Sequence, residues 1–518
     1  MIRGYGAEQV RAAEAPLLQA GQPLMLRAAH ALAHHVREQL SGDEGAGLPS
    51  RASRVLVLAG AGANGGDGLH AAAMLRRDGI TADALLTADT CHADGADALR
   101  AAGGTIHSLA ELTAGAGREL EDLLDHADVV LDAILGIGGR PEVPGHLCPL
   151  LEHLRGAGTP VIAVDLPSFL DATTGEAAQL ALPARSTLTF GAVKAGLLLP
   201  GGSDPAGDLH LVDLGLGPHL PSRPLVERLE DEDVRRLWPR AGRDASKYTR
   251  GVVAIAAGST RYPGAAVLAC SGAARAGAGM VRCLAPTPVL DLVLRARPEV
   301  LGHPTPDGGV DLEEVGRTQA LVVGPGLPGD DARARTCIDA LRDGGAGPHR
   351  GVIDAGGLDA LDASDAFCAD VVLTPHRGEA ERLARRLHID PDQPAAPLAR
   401  ALAEATGATV LMKGAVSVIA PPHPEAPLLA QDDATGYLAT AGTGDVLAGI
   451  LGALLAAGLP GPEAAALAAL LHGRAGRAAS HQGLVPLVAL DVAERLPEVL
   501  ATILTGTEHH SEASEGER

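Results

Sequence analysis

The sequence is poor in aromatic residues, which make up only 2% of its 518 positions. Stacking platforms for single-stranded nucleic acid need such rings in series, so the composition argues against that class of partner. Cations are also scarce. The 42 Lys and Arg stand against 64 Asp and Glu, a formal net charge of −22 that disfavours nucleic acid and anionic membrane surfaces. Any phosphate site must therefore be local. The six cysteines (Cys91, Cys148, Cys270, Cys283, Cys337, Cys368) are scattered, with no C-x-x-C pair and no His/Cys cluster, which argues against a disulfide framework or a zinc site. No apolar run approaches the roughly 20 residues of a membrane span, and the first ten residues lack the apolar core of a signal peptide. The expectation is a cytoplasmic protein with no membrane and no nucleic-acid partner.

What is present is 46% hydrophobic residues with 66 Gly, a composition suited to close helix-to-sheet packing in an α/β fold. A chain of this length exceeds one ordinary core, so two or more domains are expected. Residues 7–40 read as two helices broken at Gly-Gln-Pro, 21–23. Residues 54–60 read as a buried strand running into the glycine-rich turn 61–68, the order in which backbone amides approach an anionic ligand. Glycine-rich turns after strands also arise for purely steric reasons. Two further strands, 128–134 and 160–165, end in Leu-Gly-Ile-Gly-Gly-Arg and Leu-Pro-Ser-Phe-Leu-Asp. In a doubly wound parallel sheet all three would deliver Asn64, Asp67, Asp132, Asp165 and Ser168 to one carboxyl edge.

A Pro-rich and charged stretch at 215–250 marks a boundary. Strand and helix patterns then alternate again, with strands at 252–259, 280–284, 320–323, 351–355, 371–374 and 409–413 and helices at 263–279, 462–480 and 488–500. The stretch 438–450 joins a Gly/Thr turn to an apolar helix, with Asp445 at the junction. Unpaired amides and the helix dipole favour an anion there, beside a carboxylate able to take a proton. His376 and Lys413 also sit at strand ends, where a hydrogen-bonded structural His and a solvated capping Lys are the plainer readings. No G-x-x-x-x-G-K-[ST] loop occurs.

The motifs Asn64-Gly-Gly-Asp-Gly68, Val130-Leu-Asp-Ala-Ile-Leu-Gly136, Val164-Asp-Leu-Pro-Ser168 and Thr189-Phe-Gly-Ala-Val-Lys-Ala-Gly-Leu197 resemble, in order, the YjeF N-terminal family of NAD(P)H-hydrate epimerases. The resemblance implies a Rossmann-like three-layer αβα domain over 1–220. It implies a hydrate site formed by Ala63, Asn64, Gly65, Gly66, Asp67, Gly136, Ile137, Gly138, Gly139, Arg140, Pro141, Glu142 and Asp165, with Asp165 catalytic. It further implies a potassium ion on Asn64, Asp132 and Ser168, oxygen donors that suit a hard cation. The chain departs from the family pattern at Ala63, usually Asn, and at Phe169, usually Gly.

After a linker at 221–242, the motifs Gly324-Pro-Gly-Leu327, Asp354-Ala-Gly-Gly357, Thr374-Pro-His-Arg-Gly-Glu379, Lys413-Gly-Ala-Val-Ser417 and Ala441-Gly-Thr-Gly-Asp445 resemble the YjeF C-terminal family, the ADP- or ATP-dependent NAD(P)H-hydrate dehydratases of ribokinase-like α/β fold. The implied domain covers 243–504. Ala265, Gly326, His376 and Asp445 would contact the hydrate, with Asp445 catalytic. Lys413, Gly414, Ala415, Val416, Ser417 and Gly444 would hold ADP or ATP with magnesium. The family's His-Lys, Asp-Ala-Asp and Gly-Gly-Thr-Gly-Asp stand here as Ser246-Lys247, Asp354-Ala-Gly356 and Ala441-Gly-Thr-Gly-Asp445. The implied substrates are NADHX and NADPHX with an adenine nucleotide, and a homo-oligomer is expected. A ribokinase-like small-molecule kinase fused to a silent first half, its activity lost through Phe169, is the alternative. The tail 505–518 reads as disordered.

Overall fold

The computed structural model describes residues 1–42, 53–114, 118–305, 309–342, 345 and 347–506. The chain divides into two compact units, Arg3–Val226 and Met1–Ile2 with Glu227–Arg518. The division falls inside the stretch that composition marks as a linker. The first two residues belong with the second unit: the Met1 ammonium pairs with Glu230 at 2.8 Å and Asp233 at 2.7 Å, beside the helix Asp231–Leu237.

In the first unit, seven parallel strands lie in the order Ile106–Ser108, Thr81–Leu86, Arg54–Ala59, Val129–Ala133, Val161–Val164, Ser186–Phe190, Asp208–Val212. The strand order reverses between Arg54–Ala59 and Val129–Ala133, the place where parallel α/β sheets open a crevice at their carboxyl edge. Alternation along the central strand builds two cores. Val55, Val57 and Ala59 pack with the helices Ala7–Gln19, Leu24–Gly42 and Ala63–Arg77, while Leu56 and Leu58 pack with the helix Cys148–Ala157. The glycine-rich stretch differs from its sequence reading in one respect: helix begins at Ala63, so Asn64, Gly65, Gly66 and Asp67 are its opening residues and not a turn. A Cβ on Gly60 would lie 2.0 Å from the Ile134 carbonyl oxygen, and one on Gly65 would lie 2.1 Å from that of Gly60. Packing thus accounts for these two glycines.

In the second unit, nine strands run in the order Leu301–Pro304, Met280–Ala285, Val252–Ala256, Ala320–Val323, Gly351–Ile353, Val371–Leu373, Thr409–Met412, Ser417–Ala420, Leu428–Gln431. The first seven are parallel, and the last two join by antiparallel pairing, Ser417–Ala420 against Thr409–Met412 and Leu428–Gln431 against Ser417–Ala420. The antiparallel pair is absent from the sequence reading, because 413–417 carries a polar motif that masks the turn into Ser417–Ala420. Thr505, assigned from sequence to the tail, ends the helix Ala489–Thr505, while 507–518 lie outside the described residues. No described helix is long and apolar enough to cross a membrane.

The helix Thr443–Ala456 is buried along its length from Val446 onward and packs against the helix Gly264–Arg275. Two glycines permit the approach: a Cβ on Gly449 would sit 2.0 Å from the Ala269 carbonyl oxygen, and one on Gly272 would sit 2.3 Å from that of Val446. Gly449→Ala should therefore force the helices apart and cost about 1–3 kcal/mol, the usual penalty of overpacking. A lowered thermal midpoint in calorimetry checks this, and because Gly→Ala by itself raises helix propensity, such a loss is assigned to overpacking.

Candidate functional sites

Each unit places a lysine–aspartate pair at the carboxyl edge of its parallel sheet. In the first, Asp165 follows the strand Val161–Val164 in a left-handed conformation, φ +68°, and Lys194 lies on the short strand Val193–Lys194. The Lys194 ammonium donates to Asp165, to the Thr189 hydroxyl at 3.1 Å and to the Phe190 carbonyl at 2.9 Å. The Phe190 amide donates to Asp165 at 3.1 Å. A buried ammonium with all three protons placed avoids the cost of an unpaired buried charge. Asp67 and Glu14 face the same pair. Burial raises the Asp67 carboxyl well above its ordinary range, and Asp165 and Glu14 add repulsion against the attraction of Lys194. Burial also raises Glu14, on the helix Ala7–Gln19, again against the pull of Lys194. The cluster is thus Glu14, Asp67, Asp165 and Lys194. Sequence reasoning missed Lys194, although it stands inside a quoted motif, and missed Glu14, which lies in no motif at all.

Asp132 is fully buried and accepts from the Ser168 amide at 2.8 Å and the Ser168 hydroxyl at 2.5 Å. Desolvation raises its carboxyl, while these hydrogen bonds oppose the rise. Asn64 lies against Gly136, where a Cβ would come within 3.2 Å of its amide. Its Nδ2 is buried without a partner, and its side chain makes no hydrogen bond among the described residues. In the helix Ala63–Arg77 the amides of Ala63, Asn64 and Gly65 precede the first helical bond, from the Gly66 amide to the Gly62 carbonyl at 3.2 Å, and are available to an anion. In the loop after Val129–Ala133, Gly138, Arg140 and Glu142 are exposed, Ile137 and Pro141 are half-buried, and Gly139 is packed beneath the Leu170 carbonyl. The Ile137 carbonyl accepts from Arg11 at 3.2 Å.

Phe169 has φ +67°, which explains the glycine of the family pattern at this position. Its ring is 1% exposed and packs with Ile134, Leu147 and Leu182 on the sheet face opposite the helices that carry Asp67 and Glu14. It does not fill the acidic cluster.

In the second unit, Asp354 follows the strand Gly351–Ile353 and accepts from Lys413 Nζ at 2.7 Å and the Thr374 hydroxyl at 2.9 Å. Glu379 stands 3.8 Å from the same ammonium. Burial alone would depress Lys413, but Asp354, Glu379 and Asp445 outweigh it and hold the ammonium charged. Lys413 is therefore a half-buried partner of acids and not a solvated strand cap. Asp445, in the first turn of Thr443–Ala456, is pushed up to about 7 by burial first and by Asp354 second, with Lys413 opposing. Gly444 keeps the cleft open, since a Cβ there would lie 3.5 Å from Lys413 Nζ. The turn is held by the Thr443 hydroxyl, which donates to the Leu438 and Thr440 carbonyls at 2.8 and 3.0 Å. Beneath it the buried His472 bonds the Thr443 carbonyl at 2.9 Å, with burial lowering the imidazole to about 4. Asp354, Thr374, Glu379 and His472 were not among the residues picked from sequence.

Ala265 and Gly326 meet: Gly326 has φ +66°, and a Cβ there would come within 2.5 Å of the Ala265 Cβ. His376 caps the helix Arg377–Arg386, accepting from the Gly378 amide at 3.1 Å through Nδ1, while the exposed ring leaves Nε2 toward solvent and 3.5 Å from Glu379. The plainer reading of this histidine therefore describes one of its nitrogens. Gly414 and Ala415 are exposed, Val416 is buried so that only its backbone is offered, and Ser417 opens the strand Ser417–Ala420. Two family departures have steric explanations. A Cβ on Gly356 would lie 2.0 Å from the Leu327 carbonyl oxygen, so this backbone requires glycine. Ala441 is exposed and outside the positive-φ region, which Gly442 occupies at +93°, so its methyl is accommodated.

Residues 253–498 match the family described as NAD(P)H-hydrate dehydratase, and residues 21–196 match the YjeF-related protein N-terminus. A bifunctional NAD(P)H-hydrate repair enzyme of Mycobacterium tuberculosis is 41% identical over 471 residues, covering 89% of this chain and 91% of its own. That of Mycobacterium leprae is 39% identical over 479 residues, covering 91% and 93%. Among solved structures, an ADP/ATP-dependent NAD(P)H-hydrate dehydratase from Bacillus subtilis, co-crystallised with ATP and Mg2+, is 26% identical with a TM-score of 0.46, covering 54% of this chain and 99% of that one.

An acid whose folded pKa is raised from 3.8 to about 7 favours the folded state while neutral and loses stability as pH rises across that interval. Asp445→Asn should therefore raise the thermal midpoint, and by more at pH 8 than at pH 5. Equal gains at the two values in calorimetry would contradict the assigned environment.

Proposed function

This chain belongs to the family of bifunctional NAD(P)H-hydrate repair enzymes, and on that premise we propose which of its residues perform the two reactions. The enzyme interconverts the R and S forms of hydrated NAD(P)H and returns the S form to NAD(P)H at the expense of ADP or ATP. The first unit carries the isomerase and the second the lyase. The observation that supports the second assignment is Asp445, a carboxyl pushed up to about 7 at the opening of a helix, beside a charged lysine and an empty glycine position.

A hydroxyl on C6 of the reduced ring is a poor leaving group, and phosphorylation makes it a good one. Asp445 takes the hydroxyl proton as that oxygen bonds to the terminal phosphorus of the nucleotide and the phosphoanhydride bond breaks. The unpaired amides of the 442–444 turn and the Lys413 ammonium stabilise charge on the moving phosphoryl group. Phosphate then leaves C6 as the adjacent proton is lost, and the dihydropyridine double bond is restored. Ala265, Gly326 and His376 line the hydrate, and Lys413 to Ser417 with Gly444 hold the nucleotide. The carboxylates of Asp354 and Glu379 stand beside Lys413, oxygen donors that suit a magnesium ion brought in on the nucleotide phosphates. Bound there, magnesium would neutralise phosphate charge.

For the first unit, epimerisation needs C6 to lose and regain its configuration. Asp165 accepts the C6 hydroxyl proton while the C6–N1 bond opens, its electron pair passing to N1, which takes a proton from Lys194. Reclosure on the opposite face reverses both transfers. The hydrate lies along Ala63 to Asp67 and Gly136 to Glu142. Asn64, Asp132 and Ser168 can each turn an oxygen to a potassium ion, and the Asn64 side chain is not engaged elsewhere among the described residues, so the donor set fits.

Given both hydrate epimers with ADP or ATP, the intact protein should restore all reduced-nicotinamide absorbance. Asp445→Asn should abolish recovery. Asp165→Asn should let it stop partway with the R form left over, and full recovery at the wild-type rate in either variant would reject its assignment. Because the base must be ionised, dehydration kcat/KM should climb as pH rises through about 7. A flat profile from pH 6 to 8 would remove Asp445 from that role.

A further inference from the structure

A cavity of about 620 Å³ opens at the carboxyl edge of the first unit's sheet and lies apart from the Glu14, Asp67, Asp165 and Lys194 cluster. Its walls are the ends of the strands Arg54–Ala59, Thr81–Leu86 and Ile106–Ser108, which contribute Gly60, Asp89 and Ser108, with His146 and Phe169 from the loops beyond. The cavity reaches across the strand-order reversal through Ile134, Leu135 and Phe169, while Asp165, which follows Val161–Val164, lies outside its lining. Between the two is the amino end of the helix Ala63–Arg77 with its unpaired amides. A dinucleotide laid across this edge would set its pyrophosphate at those amides, its reacting ring at Asp165 and its other nucleoside in the cavity, the division of labour of two mononucleotide halves.

We infer that this cavity takes the adenosine end of the hydrate and that Asp89 makes the epimerase prefer NADH hydrate to NADPH hydrate. The inference rests on the reading of the first unit as the epimerase. Asp89 lies in the loop three residues beyond the strand Thr81–Leu86, 21 residues after Gly68, close to the place from which an acid accepts a hydrogen bond from the adenosine ribose 2′-hydroxyl. It is exposed, and its carboxylate has no hydrogen-bond or ion-pair partner among the described residues. No lysine or arginine lines the cavity. His146, the one cationic candidate, bonds the Thr87 carbonyl through Nε2 at 3.3 Å. A 2′-phosphate would thus meet an unpaired carboxylate with no compensating cation, whereas a 2′-hydroxyl would meet an acceptor. Discrimination arises as much from repulsion of the wrong substrate as from attraction of the right one.

The test compares interconversion of purified R-NADH hydrate and R-NADPH hydrate by the full chain, followed chromatographically with no adenine nucleotide added. The wild type should favour NADH hydrate by about tenfold in kcat/KM, chiefly through KM, as charge repulsion near a surface allows. Asp89→Ser, at an exposed position, should bring the ratio close to one. A wild-type ratio of one, or a ratio unchanged by Asp89→Ser, overturns the proposal. If the wild type interconverts neither hydrate, the epimerase reading fails, and binding decides the cavity. With the second unit's site saturated by ATP, ADP-ribose should bind more tightly than its 2′-phosphate in the wild type but not in Asp89→Ser, and equal binding in the wild type overturns the proposal.

Discussion

The second unit depends on the contact between the helices Gly264–Arg275 and Thr443–Ala456, where backbone touches backbone because Gly272 and Gly449 have no side chains. That contact fixes the height of the Thr443 turn above the sheet, and the height sets how deeply Asp445 is buried. Leu268, one turn along the first helix, fills the space above Gly442, where a Cβ would come within 2.4 Å of it. An acid at a helix start in water would ionise near its ordinary value. This one is desolvated and sits near Asp354, and it is balanced by one ammonium, so its proton is held into the neutral range. A packing constraint has thus become a chemical property.

The two units share this logic on unrelated sheets. Lys194 against Asp165 and Lys413 against Asp354 each hold a cation at the carboxyl edge of parallel strands, and each pair is completed by a threonine hydroxyl. A buried ion pair is weak evidence for stability, since desolvation consumes most of the attraction. Here each pair fixes a cation at the sheet edge, with further acids held near enough for their proton affinities to rise. Fusion of the two activities has a chemical basis, because a dehydratase that accepts one epimer leaves the other for the epimerase to return.

Much of this was legible from sequence for a physical reason. Strands buried on both faces read as apolar runs, and 320–323 was placed to the residue. Asn64, Asp132, Asp165, Ser168 and Asp445 stood out because polar residues at the ends of such runs or at the start of an apolar helix break the apolar pattern. Glu14 was illegible, since one acid on an amphipathic helix looks like its solvated face. Asp354 and Lys194 were inside noted motifs, yet their partners lie 59 positions away for one and 29 for the other, on strands that do not adjoin their own. The antiparallel strands Ser417–Ala420 and Leu428–Gln431 were hidden because a nucleotide-loop reading had already claimed the turn before them.

By itself the sequence determined the α/β class, the positions of the glycine-rich and acidic strand ends, the family, and Asp445 as the candidate base. Local chemistry suffices for these, because strand period, turn glycines and helix-opening acids are written within a few residues of one another. Only the tertiary structure decided that Phe169 turns into a core and leaves the acidic cluster open, and that Gly356 is demanded by the Leu327 carbonyl. It also decided that Lys413 is a half-buried partner of Asp354. Each of these depends on which distant backbone comes within a few ångströms, and that is set by strand order and helix contact across the whole fold.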